Sequence, residues 1–316
     1  MSFKSKIRKE EESGDYNAMN GDIKRKVVLL GLVITMLISS LGLLLSCSTR
    51  EKSYWIITQH GWWEGSQLTF YTITNEEGYL IVIDGGRRED AELFREIIAS
   101  KGNNINLWIL THPHFDHVGA FIEIWPNSGE IMIDRVITAE MPSLEQALDS
   151  GSYDDGTYEK FYSLDLSEVE LVKTGDEFTF ANLNFHVLSV WGEHVKEVGV
   201  DFLNNGSMMF MITGEENRML FCADVEYPMS EWLINTYGEE LSADFVQLGH
   251  HGNGSTTLPR EFLDLVAPKV AFFDAPWWLF EDLYGIFEMD WVIEYMRDNH
   301  ILYYNFETAP NSIRFR

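Results

Sequence analysis

The stretch His112-Pro113-His114-Phe115-Asp116-His117 decides the fold of this 316-residue chain. It places three imidazoles and one carboxylate within six residues. Residues 106–110, which run into it through Thr111, have the character of a short buried strand. Polar groups in such a place are costly to bury without partners. Imidazole nitrogens and carboxylate oxygens are ligands that Zn²⁺ and similar ions accept. The stretch therefore predicts a metal site: the His-x-His pair can face one ion, and Asp116-His117 can reach a second.

Three other polar positions follow predicted strands. Asp84 comes after an apolar segment and before Gly85-Gly86, Asp224 ends the segment Phe221-Cys222-Ala223-Asp224, and His250-His251-Gly252 follows Val246-Gln247-Leu248-Gly249. Cys222 lies inside one of these strands, so we expect a small buried core side chain there rather than a disulfide with Cys47.

Strand-like and helix-like segments alternate along the chain, which favours an α/β layered sandwich. Residues 151–157, rich in Gly, Asp and Ser, predict an exposed loop near the site. The predicted helices are residues 89–100, 229–237, 260–266 and 291–298. The predicted strands are residues 54–58, 68–74, 79–83, 106–110, 178–180, 183–190, 207–213, 218–223, 245–248, 270–273 and 301–304.

Together these motifs resemble the metallo-β-lactamase superfamily. Residues 112–117 look like its His-x-His-x-Asp-His motif, and Asp84, Asp224 and the doubled histidine look like its early Asp, bridging Asp and late His. The His-His-Gly, preceded by Asn204-Asn205-Gly206-Ser207, resembles the branch that contains the extracellular hydrolase domain of the DNA-uptake protein ComEC and the teichoic-acid phosphorylcholine esterases. The resemblance runs from about residue 53 to 273 and implies a four-layer αββα sandwich, the metallo-β-lactamase fold.

The resemblance also implies two divalent metal ions, Zn²⁺ or Mn²⁺, and a role for each motif residue. His250 is preferred to His251 as the late ligand because it lies nearer the strand end. His251 would then support a ligand or contact the substrate, and with Asp116 it is the candidate catalytic residue, while Asp84 would orient ligands. The ions would be held by His112, His114 and Asp224 at the first position and by Asp116, His117, Asp224 and His250 at the second.

The chain departs from the family at a third histidine, which many members place between the first motif and the bridging Asp. His186 and His194 do not adjoin the Asn204–Ser207 segment, and we expect them at the surface. Asp201 and Asn204 are the weak candidates for that third position. An oxygen-rich site would accept Mn²⁺ as readily as Zn²⁺.

The N-terminal part of the chain has the pattern of a targeting segment. Residues 27–45 are almost wholly apolar and follow Lys24-Arg25-Lys26, as in a secretory signal. The end of the stretch, Leu44-Leu45-Ser46-Cys47, resembles the bacterial lipobox, whose Cys becomes the lipidated first residue. An uncleaved anchor is the alternative, since about 20 apolar residues span a bilayer. Either interpretation places the rest outside the cytoplasm. The predicted organisation is a signal or anchor at 1–46, lipidated Cys47 with a linker at 47–53, and a hydrolase domain at 54–316.

The net charge of −27 limits the substrates. Such a surface repels polyanions, so nucleic acid is possible but disfavoured, and a small or envelope-borne ester fits better. The resemblance implies a hydrolase acting through a dinuclear metal-bound hydroxide, with phosphodiesters favoured. The alternatives are lactone, thioester or β-lactam hydrolysis on the same fold, or a non-catalytic surface binding module. The pairs Trp62-Trp63 and Trp277-Trp278 could cage a quaternary ammonium or serve as packing.

Overall fold

The computed structural model describes residues 54–61 and 65–316. The part that begins at Ser53 and ends at Arg316 clusters as one unit. The predicted signal or anchor at 1–46, the lipidated Cys47, the linker and the Trp62-Trp63 pair lie outside the described residues, and they stay predictions. Among the residues that are described, no helix combines the length and the apolar character needed to cross a bilayer.

Two seven-stranded sheets form the centre of the fold. In spatial order, the first sheet consists of β16 (Asn311–Phe315), β1 (Trp55–Gln59), β2 (Phe70–Asn75), β3 (Leu80–Asp84), β5 (Leu107–Ile109), β7 (Val136–Ala139) and β8 (Glu170–Val172). The second consists of β15 (Leu302–Tyr304), β14 (Val270–Phe272), β13 (Phe245–Gln247), β12 (Arg218–Phe221), β11 (Met209–Thr213), β10 (Leu183–Ser189) and β9 (Glu177–Phe180). A separate parallel pair is formed by β4 (Asn104–Ile105) and β6 (Met132–Ile133).

Helices cover the outer face of each sheet. The helices are α1 (Ala91–Ser100), α2 (Phe115–Ile124), α3 (Leu144–Asp149), α4 (Thr157–Tyr162), α5 (Glu193–Val198), α6 (Phe202–Asn205), α7 (Ser230–Tyr237), α8 (Arg260–Val266), α9 (Trp277–Phe280) and α10 (Met289–Asp298). Helices α1, α2 and α4 contribute to the apolar cluster outside the first sheet, and α7, α8 and α10 to the cluster outside the second.

Strand alternation explains why the two sheets stack. In β3, Ile81 and Ile83 face the core between the sheets, whereas Leu80 and Val82 belong to the cluster with α1 and α2. Because successive side chains of a strand point to opposite faces, a strand that is apolar throughout must be covered on both faces. The result is the helix–sheet–sheet–helix order, which confirms the predicted αββα sandwich.

The strand and helix predictions agree with the structure to within a few residues at most ends, and Cys222 is buried and free. The helix predicted at 260–266 has those bounds, whereas the last helix begins earlier, at Met289. The sequence did not predict β7 and β8 at one edge of the first sheet, nor β16, which pairs antiparallel with β1 and extends the sheet at the other edge. This strand lies beyond the part of the chain that carries the family motifs.

Parallel strand pairing brings the predicted site residues to the ends of neighbouring strands. In the first sheet β3, β5, β7 and β8 are parallel, and in the second β12, β13, β14 and β15 are parallel. Asp84 ends β3, and the residues after β5, β12 and β13 include His112, Asp224 and His251. Sites in α/β folds form at such carboxyl ends of parallel strands.

Gly119 allows α2, which carries Asp116 and His117, to pack closely on the turn after β3. A Cβ at this position would lie 2.4 Å from the Arg88 nitrogen and 2.5 Å from the Arg87 carbonyl carbon. Helix propensity alone favours Ala over Gly by about 1 kcal/mol. We expect Gly119→Ala to lower the free energy of unfolding by about 1–3 kcal/mol instead, because backbone atoms cannot move aside cheaply. Urea denaturation followed by circular dichroism measures this, and a variant as stable as the parent protein would contradict the packing argument.

Candidate metal centre

Six buried side chains meet in two groups of three. The first group is His112, His114 and Asp224, and the second is Asp116, His117 and His251. Within each group, one nitrogen or oxygen atom from each residue lies within 4.8 Å of the others. Each side chain approaches from the end of a strand or the start of α2, so the two sheets and one helix together fix the arrangement.

The first group is built around two neighbouring imidazoles. His112 Nε2 lies 2.9 Å from His114 Nδ1 and 3.7 Å from Asp224 Oδ2. Burial, reinforced by the neighbouring His117 and His114, holds the pKa of His112 well below its ordinary value. This ring is therefore neutral, as a metal ligand must be. The other ring nitrogen of His114 is 3.0 Å from the carbonyl oxygen of Tyr153, which places the 151–157 loop against the site.

The second group meets the first through the Asp224 carboxylate. His251 Nε2 lies 3.2 Å from Asp116 Oδ2 and 3.3 Å from Asp224 Oδ2. His117 Nε2 lies 3.2 Å from Asp224 Oδ1. Both oxygens of Asp224 thus face imidazole nitrogens of the second group, and Oδ2 also faces the first group. Asp224 occupies the position that a bridging ligand would need.

Asp84 fixes the orientation of His117. Its Oδ2 is 2.7 Å from His117 Nδ1, and its two oxygens accept hydrogen bonds from the Thr111 backbone nitrogen at 2.8 Å and the Thr111 hydroxyl at 2.7 Å. A hydrogen bond at Nδ1 leaves Nε2 of the same ring to face Asp224. Carboxylates commonly orient ligating histidines in this way.

Four atoms at the centre of the cluster have no hydrogen-bond partner within the described part of the chain. They are Asp116 Oδ2, His117 Nε2, Asp224 Oδ1 and His251 Nε2. Buried polar atoms are almost always paired, and each orphan costs about 1–3 kcal/mol. Four such atoms facing one another are the arrangement expected of ligands around cations. The residues present therefore fit divalent metal ions.

The charges of the buried residues lead to the same conclusion. Asp84, Asp116, Asp224 and Asp274 are each at most 2% exposed, and no Lys or Arg is buried among residues 54–61 and 65–316. Burial by itself would lower the pKa of His117, but the Asp224 and Asp84 carboxylates outweigh it and hold that pKa well above its ordinary value. Against the same effect of burial, Asp224 and Asp116 raise the pKa of His251 to about 10. The carboxylates thus attract positive charge to the imidazole nitrogens, whether from protons or from metal ions.

Known proteins resemble this chain in sequence and in fold. The sequence model of the metallo-beta-lactamase superfamily matches residues 64–273. The chain belongs to the metallo-β-lactamase superfamily. ComE operon protein 3 of Bacillus subtilis (strain 168) is 26% identical over 182 residues, which are 56% of this chain and 21% of that protein. This confirms the ComEC-like resemblance, although the chain spans only about a fifth of that relative.

Solved structures share the metallo-β-lactamase fold. CmlA, described as a diiron beta-hydroxylase from Streptomyces venezuelae, has a TM-score of 0.50 and 16% identity, over 84% of this chain and 55% of that one. The metallo-beta-lactamase fold protein YhfI from Bacillus subtilis has a TM-score of 0.49 and 13% identity, over 83% of this chain and 99% of that one. At 16% identity the likeness to CmlA concerns the fold alone. Membership of the superfamily, with these His and Asp groups, supports a metal-dependent hydrolase.

The structure places His251 in the cluster, and not His250, contrary to the preference for His250 as a ligand. The backbone leaves β13 and turns sharply, with left-handed φ values of 45° at His250 and 60° at His251, so strand alternation does not continue into the motif. The turn directs His251 into the cluster. His250 instead lies 2.9 Å from Glu226 and 2.8 Å from the Thr256 hydroxyl, with its side chain 22% exposed. The two histidines therefore exchange the positions that the sequence predicted.

The candidates for a third-histidine position lie outside both groups. His186 lies on β10 near the ring of Tyr237, and His194 stacks on Trp232 with ring centroids 4.0 Å apart. Asp201 caps α6, accepting hydrogen bonds from the backbone and side-chain nitrogens of Asn204. The Oδ1 atom of Asn204 is buried without a hydrogen-bond partner in the described residues, so Asn204 stays a candidate.

The sequence did not predict two acidic residues that lie beside the cluster. Glu226 holds His250, and the carbonyl oxygen of Asp274 lies 3.1 Å from His251 Nδ1. Asp274 follows the predicted strand 270–273, so the rule that found Asp84 and Asp224, a carboxylate directly after a parallel strand, could have identified it. No such sequence pattern indicated Glu226, because its partner His250 was predicted to be a metal ligand.

The exchange of the two histidines can be tested by metal content. We expect His251→Ala to lose one of the two ions and Asp224→Ala to lose both, since its carboxylate faces both groups. His250→Ala should keep both ions, as should the control His186→Ala. Inductively coupled plasma mass spectrometry of the full-length protein, dialysed against Zn²⁺ and then against buffer, provides the count. Loss of an ion in His250→Ala with retention in His251→Ala would contradict the assignment.

Proposed function

We propose that this chain is a metal-dependent phosphodiesterase that acts outside the cytoplasm, at the membrane surface, with two divalent ions of Zn²⁺ or Mn²⁺. One observation carries the hydrolase part of the proposal: the Asp224 carboxylate faces both His/Asp groups, and four buried ligand atoms around it have no partner in the described residues. Protein sites of this kind bind two cations close together and serve hydrolytic chemistry.

The residues of the chain have distinct tasks in this chemistry. Bound divalent ions would lower the pKa of water and stabilise charge on the oxygens of an ester. Asp84 holds His117 and the Asp274 carbonyl holds His251, so both imidazoles are oriented before substrate arrives. Burial raises the pKa of Asp116, but His251 and His117 outweigh it and keep that pKa below its ordinary value. Its carboxylate is therefore ionised, as an oxygen ligand of a metal ion must be.

His250 is proposed to contact the substrate, with Glu226 holding its ring. Nδ1 of His250 contacts both the Glu226 carboxylate and the Thr256 hydroxyl. Neither of these groups contacts Nε2 of the same ring. Its side chain is partly exposed, unlike those of the six cluster residues. An oriented ring next in sequence to a cluster residue is suited to an oxygen of an anionic ester. The substrate contact first predicted for His251 is thus proposed for His250.

The charge of the protein favours a small or zwitterionic phosphodiester over a long nucleic acid. A net charge of −27 repels polyanions at long range, whereas bound cations dominate close to the site. The two residues of the Trp277-Trp278 pair differ in environment: Trp278 Nε1 donates to the Gly65 carbonyl at 2.7 Å, whereas Trp277 is 47% exposed. Trp278 is thus a packing residue, and Trp277 is open to a ligand.

Turnover of bis(p-nitrophenyl) phosphate by the full-length protein tests the reaction. With Mn²⁺ or Zn²⁺ present we expect metal-dependent hydrolysis, reduced roughly 100-fold or more by Asp116→Ala. His186→Ala, outside both groups, is the matched control and should retain the parent rate. Faster hydrolysis of nitrocefin, lactones or thioesters would transfer the proposal to carbonyl substrates. No metal-dependent turnover of any of these, with both ions bound, would favour a binding module.

The location is a separate proposal, and it rests on the residues before 54. A lipidated Cys47 predicts that the mature protein begins at this residue and carries acyl chains. Mass spectrometry of protein extracted from membranes should find that modified N-terminus. An unmodified Cys47 still preceded by Ser46 would exclude the lipoprotein and leave the uncleaved anchor.

A further inference from the structure

A chain of buried hydrogen bonds runs from the last strand of the protein to the second His/Asp group. Asn311 Nδ2, on β16, donates to Gln59 Oε1 on β1 at 2.9 Å. Gln59 Nε2 donates to the Asp274 carboxylate at 2.7 Å and to the Phe273 carbonyl at 2.9 Å. The next carbonyl, that of Asp274, lies 3.1 Å from His251 Nδ1. The chain therefore crosses from the first sheet to the second and ends on a residue of the cluster.

Every member of this chain is well buried. Gln59 and Asp274 are 0% exposed, His251 is 1% exposed and Asn311 is 5% exposed. Tyr71 on β2 adds a hydroxyl that donates to the Asp274 carboxylate at 2.6 Å. A buried carboxylate needs such donors, and a buried network with all its members paired is rigid. The network is consequently more than an isolated contact between two strands.

The network fixes Asp274, the residue whose carbonyl holds His251. Gln59 donates from one amide nitrogen to the Phe273 carbonyl and to the Asp274 side chain, so Asp274 is restrained through the peptide before it and through its own carboxylate. The Asp274 carbonyl then accepts from Nδ1 of His251, which leaves Nε2 facing Asp116 and Asp224. A backbone movement at Asp274 would shift this carbonyl and remove the restraint on the imidazole.

Three of these residues lie outside the part of the chain that matches the superfamily. That match covers residues 64–273, whereas Gln59 precedes it, and Asp274 and Asn311 follow it. The strand β16, which the family motifs did not predict, supplies the outer end of the network by pairing Asn311 with Gln59 in register. The network therefore draws Gln59, Asp274 and Asn311 from outside the matched range.

We propose that Asn311, Gln59 and Asp274 are positioning residues for His251, and that they set the affinity of the second group for its metal ion. This rests on the proposed function, because it takes the two groups to hold ions. Disturbing residues that orient a ligating histidine weakens metal binding about 10–100-fold. The effect should be confined to the second group, since no hydrogen bond of the network ends on His112 or His114.

The test compares two substitutions in the same pair of strands. Gln59→Leu removes the amide at similar volume, while Asn311 keeps its hydrogen bond to the Asn305 carbonyl at 2.8 Å. Thr58→Val is the matched control, because it removes the adjacent 2.9 Å contact with Ser312, which does not lead to Asp274. Both are made in the full-length protein in a His114→Ala background, which weakens the first group so that Zn²⁺ titration calorimetry reports on the second.

We expect Gln59→Leu to weaken Zn²⁺ binding about tenfold or more and Thr58→Val to leave it unchanged. Titration with Co²⁺ adds a readout that loss of stability alone would not alter, since the visible absorption bands should shift in Gln59→Leu as the ligand geometry changes. If Gln59→Leu does not fold, Tyr71→Phe takes its place. It removes a single donor to Asp274, keeps the ring, and should weaken binding several-fold.

The outcomes separate this proposal from the proposed function. If the unsubstituted protein binds no metal, the proposed function fails and this inference fails with it. If that protein binds two ions and the Gln59→Leu and Tyr71→Phe variants match Thr58→Val in affinity and Co²⁺ spectrum, only the positioning role is overturned.

Discussion

The whole site depends on how the negative charge of the buried Asp224 carboxylate is compensated. Both of its oxygens face imidazole nitrogens of the two His/Asp groups, and three further carboxylates are buried nearby without a Lys or Arg among the buried described residues. Burying ionised groups costs several kcal/mol each unless opposite charge is close. The fold around Asp224 therefore requires positive charge at its centre, which protons on the imidazoles or bound metal ions can supply.

Each layer of the sandwich contributes to that requirement. Parallel strands in both sheets end at the cluster, and α2 begins there, so that Asp116 and His117 enter from its first turn. Close packing at Gly119 keeps the helix against the turn after β3. Behind the ligands, the Asp84 carboxylate accepts a hydrogen bond from His117, and the Asp274 carbonyl accepts one from His251. These hydrogen bonds convert the packing into fixed ring orientations. Rigidity of this kind is what metal sites need to select their geometry.

The sequence predicted the sandwich and the local motif around His112 because those depend on short-range patterns: strand alternation, helical spacing and the close spacing of ligand-type residues. It failed where the answer depends on a backbone turn or on distant pairing. The choice between His250 and His251 is set by two left-handed residues that no periodicity reveals. The strand β16 and the link from Asn311 to Gln59 join positions at opposite ends of the described chain, so no local pattern could indicate them.

The central claim is that two divalent cations bind on either side of Asp224. Anomalous diffraction from crystals of the protein grown with Zn²⁺ tests it most directly. We expect two anomalous peaks that share Asp224 as a ligand. One should lie beside His112 and His114, and the other beside Asp116, His117 and His251. Absence of both peaks, or a peak coordinated by His250 in place of His251, would contradict it.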